Sequence, residues 1–190
     1  MRFSVLFSAA LALFLQTLSP VQSGPVVDEA AKAEGLVLEN KFTESIIAMD
    51  NAIGKLWNAI PLTFVDFHFV TKRPTGYGVY EPRPDSVFKA GEDMIVYVEL
   101  AGFDYKKDGA HFTADMSLDM EIRSLDDKVL GSQKDFLKLT QRSRVPNREF
   151  FAVVIYTFDS IPPGKYALRT YVTDKHANDT QWFQQEFEVK

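Results

Sequence analysis

Ser86-Val87-Phe88-Lys89 has the S-x-x-K spacing in which an amine can take a proton from a serine hydroxyl during acyl transfer. That chemistry needs the tetrad at the start of a helix, with S-D-N and K-T-G partners. Here the tetrad lies between Pro84 and Gly91 in a region of strand character, and neither partner occurs. Asp66 and His68 are two apart on an expected strand, so they share one face about 7 Å apart along the backbone. Two ligands are too few for a metal ion without a third from elsewhere. His111 and Asp115 are four apart on a strand, roughly 13 Å, which is too far for one ion. The acids Asp115, Asp119 and Glu121 line the wet side of one strand, where solubility accounts for them. A pair of carboxylates across a cleft, as glycoside hydrolysis needs, leaves no mark in linear sequence. With no cysteine in the chain, thiolate zinc sites, iron–sulfur clusters, disulfides and cysteine nucleophiles drop out together. No catalytic residue, metal ligand or cofactor is expected.

Two residue sets remain as candidate binding elements. Lys138, Arg142, Arg144 and Arg148, preceded by Lys134, form a basic stretch in a chain of net charge −5. Such a stretch suits an anionic surface or a partner's acidic face. The net charge itself argues against nucleic acid, whose phosphates need a basic surface. Tyr77, Tyr80, Phe103, Tyr105 and Trp182 stand near turns, where aromatic rings can stack on sugars or anchor a protein contact. The expected partners are a protein or glycan of the cell envelope.

The elements that must carry these residues come in four parts. Residues 1–23 read as a secretory signal: Arg2, an apolar run from Phe3 to Leu18, then Pro20 and small residues, with Val21 and Ser23 at the −3 and −1 places of a cleavage before Gly24. The protein is accordingly expected to be periplasmic or secreted. Residues 24–39, punctuated by Gly24, Pro25 and Gly35, read as a flexible lead-in. Over 40–60 the period becomes helical. Phe42, Ile46, Met49, Ile53, Leu56 and Ile60 recur at spacings of 4, 3, 4, 3 and 4, with Asn40 as N-cap and Pro61 as the stop. The stripe also fits a heptad, so it either docks on the chain's own β domain or makes a homo-oligomer.

From 62 to 190 the period is two. Phe112, Ala114, Met116, Leu118, Met120 and Ile122 alternate with polar residues, and Met94, Val96, Val98 and Leu100 alternate against Tyr97 and Glu99. Phe150 to Phe158 is apolar on both faces, which points to a central strand. Turn signals at Lys107-Asp108-Gly109, Pro146-Asn147 and Pro162-Pro163-Gly164 separate strands with no helices between them. The fold class expected is mainly β: an antiparallel immunoglobulin-like sandwich of about 7–8 strands behind one amphipathic helix.

The stretches Gly76-Tyr77-Gly78-Val79-Tyr80, Phe88-Lys89-Ala90-Gly91-Glu92-Asp93 and Ile161-Pro162-Pro163-Gly164-Lys165-Tyr166, with the final Phe187-Glu188-Val189, resemble uncharacterised exported bacterial proteins that carry an immunoglobulin-like or fibronectin-like domain. The resemblance covers about residues 62–190. It implies a sandwich and export, and it transfers no catalytic residue. The function expected is a non-catalytic binding or assembly module of the bacterial envelope. The alternatives are a helix-mediated oligomeric subunit and a carboxylate-based hydrolase.

Overall fold

A computed structural model describes residues 23–190; the signal-peptide reading of 1–23 lies outside them except for Ser23. The chain runs as helices α1 (Pro25–Leu38) and α2 (Phe42–Trp57), then strands β1 (Thr63–Val70), β2 (Val87–Phe88), β3 (Met94–Ala101), β4 (Lys106–Asp108), β5 (His111–Arg123), β6 (Val129–Ser143), β7 (Phe151–Tyr156), β8 (Gly164–Asp174) and β9 (Asp179–Val189). Among the described residues no helix is long and apolar enough to cross a membrane.

The lead-in expected over 24–39 is instead α1. Pro25 occupies the first helical turn, where its missing N–H is no loss. Gly35 weakens a helix by only about 1 kcal/mol relative to Ala, and docking on α2 offsets that. Asn40 is not the N-cap of α2; it sits at φ +58° in the tight turn between the helices, and Lys41 holds the cap position. Asparagine tolerates that left-handed backbone better than most residues.

Small residues let the two helices approach. Ala33 faces Ser45, Ala48 and Ala52, all four are buried, and the Ser45 hydroxyl donates to the Ala33 carbonyl at 2.8 Å. The Lys55 ammonium ties α2 to Glu29 of α1 at 2.9 Å. The hairpin is then fixed to the strands at α2's far end. Trp57 Nε1 donates to the Phe103 carbonyl at 2.8 Å, and its ring meets Phe103 edge-on at 5.1 Å. Arg148 pairs with Asp50.

The strands form two sheets of unequal width. One has the order β1-β3-β7; the other runs β2-β9-β8-β5-β4, with β6 on the free side of β5. The inner faces carry the alternation seen in the sequence: Val96, Val98 and Leu100 against Ala114, Met116, Leu118, Leu168 and Val172, all buried in one cluster. Phe64 and Phe67 of β1 meet Phe183 of β9 at 5.0 and 4.9 Å. On the other flank the Tyr156 hydroxyl shares a hydrogen bond of 2.6 Å with Thr170. This is a mainly β fold with helices in front. The sheets are curled, one of three strands and one of six, and the pairings are antiparallel except for the short parallel pair of β2 with β9.

The central strand of the small sheet is β3, not the 150–158 stretch, which supplies the edge strand β7. On its outward face Phe151 stacks on Tyr97 of β3 at 5.5 Å.

Candidate functional site

The outer face of the small sheet is where the chemistry-bearing residues concentrate. Register places Asp66 opposite Glu99 and His68 opposite Tyr97. The loop 71–86 folds over them, because the Gly76–Val79 turn puts Tyr77 and Tyr80 onto the sheet. Tyr80 lies between His68, 5.5 Å away, and Tyr97, 4.2 Å away, with near-parallel rings. Its hydroxyl donates to Asp66 Oδ2 at 2.6 Å, while His68 Nε2 lies 2.7 Å from Oδ1 of the same carboxylate. Hydrogen bonding to Asp66, with burial behind it, pushes the Tyr80 phenol up to about 12. Deeper in, Tyr97 donates to Glu99 and accepts from the Gly78 N–H at 2.7 Å. Burial first, then hydrogen bonding to Glu99, raises the Tyr77 phenol.

Tyr97 and Glu99 belong to the side of β3 expected to be wet, yet both are buried. Each carboxylate here already takes phenol or imidazole donors, and each phenol is held protonated. The cluster therefore fastens a loop to a sheet; it does not present an open acid–base pair. Among the described residues no group of three or more His, Asp or Glu is placed to hold a metal ion.

The other sequence candidates scatter. Phe103 is fully buried, with Trp57 and Phe150 edge-on to it, and offers nothing to a ligand. The Tyr105 hydroxyl contacts the Asn147 carbonyl and lies 3.0 Å from Gln141 Oε1, and burial pushes its phenol up to about 12. Arg148 is consumed by Asp50. Lys138, 3.7 Å from Asp135, and Arg142 sit on the outer face of β6, and Arg144 follows the strand. Trp182 lies on the outer face of the large sheet, opposite Tyr171, with the Arg169 guanidinium 4.3 Å over its ring. The basic and aromatic sets thus do not converge on one surface.

Around Trp182 the large sheet carries a charge lattice. Glu121 accepts from Arg123 at 2.7 Å and from Tyr171 at 2.9 Å, while Asp127 pairs with Arg169 at 2.8 Å. Burial alone would raise the Glu121 pKa, but the Arg123 and Tyr171 hydrogen bonds outweigh it and hold the carboxyl below its ordinary value. A depressed carboxyl contributes stability that is present above the unfolded value of 4.5 and is lost as pH falls through the folded one. Urea midpoints should therefore drop on acidification below about pH 4.5, and Glu121→Gln should flatten part of that fall. Parallel curves for the two proteins would refute this assignment.

Of the two places the sequence leaves open for the apolar stripe of α2, the structure does not show docking on the β domain. Phe42, Ile46, Met49, Ile53 and Leu56 do not dock on the strands; they point to solvent, from 42% exposed at Met49 to 71% at Ile46. Ile47 is exposed beside them, and Leu38 lies open at the end of α1. Large solvent-facing apolar ridges of this kind mark interaction surfaces.

No family model matches the sequence, and no curated protein matches it. Among solved structures, the chain is similar to a Niemann-Pick type C2 protein from Japanese carpenter ant, with 7% identity over 69% of this chain and 94% of that one and a TM-score of 0.40. It is also similar to a superoxide reductase (neelaredoxin) from Ignicoccus hospitalis, with 13% identity over 74% and 87% and a TM-score of 0.32. A third is the CARDB domain of a Pyrococcus furiosus protein, with 11% identity over 69% and 93% and a TM-score of 0.27. All three TM-scores lie below 0.5, and none of these similarities assigns this chain an activity or a ligand.

Proposed function

We propose that this chain is an exported, non-catalytic assembly module of the bacterial cell envelope, an immunoglobulin-like sandwich that carries a helical docking hairpin. The observation behind this reading is the exposed ridge of α2. Its occupant is a second copy of the chain. The ridge keeps the alternating 3- and 4-residue spacing of a heptad seam, so two ridges can pack antiparallel about a two-fold axis. The opposite face of α2 is already filled by α1, which leaves this seam as the free one. A bilayer suits it less well. The hairpin carries Asp28, Glu29, Glu34, Glu39, Glu44 and Asp50 against Lys32, Lys41 and Lys55, so anionic head groups would repel it. The export signal read over 1–23 and the engaged acid and histidine pairs support the envelope location and the absence of catalysis.

Sedimentation velocity on the purified protein at tens of micromolar is the test. A dimer is expected. The double variant Ile46→Glu, Ile53→Glu should be a folded monomer whose melting temperature, unlike that of the wild type, does not rise with protein concentration, because both side chains are exposed in the single chain. A monomeric wild-type protein, or a double variant that still dimerises, would sink the proposal.

A further inference from the structure

The unequal sheets leave a second feature, independent of α2. Three strands cannot cover the inner face of a sheet that carries β6 beyond β5. The middle of β6 solves this by curling, so that Phe136 reaches Tyr156 at 5.6 Å and Leu137 and Leu139 lean on the core. The start of β6 does not. There Val129 and Leu130 are exposed, and an open cleft of about 460 Å³ lies between Ile122, Gly131, Phe158, Ile161 and Tyr166. That volume is within the range of small-molecule sites.

The lining has no charged side chain. Its only side-chain polar atoms are two hydroxyls, Ser160 and Tyr166, and the Tyr166 hydroxyl already donates to the Pro162 carbonyl at 2.8 Å. A ligand buried here gains from apolar contact and finds almost nothing to hydrogen-bond. Gly131 is decisive for the shape. It faces inward opposite Ile122, and a Cβ built on it meets no heavy atom within 4 Å. Any ordinary strand residue at this place would project into the cleft.

We propose that this cleft binds the hydrocarbon chain of an amphiphile, with the polar head left in water at the open side. A free fatty acid and a single-chain lipid share that chemistry. No residue of α1 or α2 lines the cleft, so the site stands or falls separately from dimerisation.

The probe is 11-(dansylamino)undecanoic acid, titrated into the purified protein and followed by its fluorescence. Saturable binding with one site per chain and a blue-shifted emission is expected, with displacement by palmitic acid and by hexadecanol. Displacement by lysophosphatidylcholine as well extends the source to lipids, whereas its failure restricts the site to slender free chains. Gly131→Phe should fill the cleft and weaken probe binding at least tenfold, while its melting temperature stays at or above that of the wild type. Ile161→Asp, on the loop side, should weaken binding as much through a charge. The proposal is overturned by absence of saturable binding, or by a folded Gly131→Phe protein that binds like the wild type. It is overturned equally if no chain binds and Gly131→Phe alters the oligomeric state, which would give the cleft to a second copy.

Discussion

Asp174→Ala is expected to lower the folding free energy by about 3 kcal/mol, since each buried donor left without a partner costs about 1–3 kcal/mol. Asp174 is only 1% exposed at the end of β8 and carries three backbone N–H groups. Its Oδ1 accepts from His176 at 2.8 Å and from Ala177 at 3.3 Å, which closes the turn into β9. Its Oδ2 accepts from Asp104 at 2.6 Å, seventy residues away in sequence, and so fixes the loop that carries Phe103. Phe103 in turn receives Trp57, so the same carboxylate sets where the helical hairpin stands. Asp174→Asn keeps one carbonyl acceptor and should recover part of the loss. Urea unfolding at neutral pH measures both. A loss below about 1 kcal/mol for the alanine variant would mean that water satisfies those three donors.

How much of this was legible depends on which residues carry hydrophobic weight. The inward face of β5 stood out because Ala114, Met116 and Leu118 alternate with polar neighbours, and all three are buried. The α2 stripe is equally visible, but its spacing does not say whether it faces the strands or solvent. The residues that α2 buries are Ser45, Ala48 and Ala52, whose small side chains bring the helices close while contributing little to an apolar pattern. Helix packing rewarded size complementarity there, and the larger residues were left outside.

Tyr97 and Glu99 were misread for a different reason. Strand alternation states which side of β3 a residue takes; it cannot state that a loop will cover that side. The loop's signals, Gly76, Gly78 and the two tyrosines, are present in the sequence, but nothing in them names the strand residues they meet. Their targets, Asp66 and Glu99, sit on two different strands, and only strand register joins them. The cleft was out of reach altogether, because it comes from the mismatch in sheet width. One glycine, Gly131, is its single trace in the sequence.

Gly102→Ala should be the most damaging single-methyl change in the chain, at about 3 kcal/mol or more, because backbone strain and a hard backbone clash add. Gly102 follows β3 with φ +73°, a conformation that costs an L-residue about 1 kcal/mol or more. A Cβ there would lie 2.2 Å from the Pro61 carbonyl oxygen and 2.9 Å from Ile60 Cγ1. Neither neighbour is free to retreat. The Leu62 N–H is held by Asp179 Oδ2 at 3.0 Å, and Trp57 is held by Phe103, the residue after the glycine. The seam between helix hairpin and strands must therefore open, or β3 must shift within the core. Gly78→Ala provides the control: its φ is +67°, but a Cβ there meets no heavy atom within 4 Å. Thermal and urea unfolding of the two variants should separate strain alone, at about 1 kcal/mol, from strain plus collision. Equal losses would show that the chain at Pro61 yields freely, and that the hairpin is not rigidly mounted on the strands.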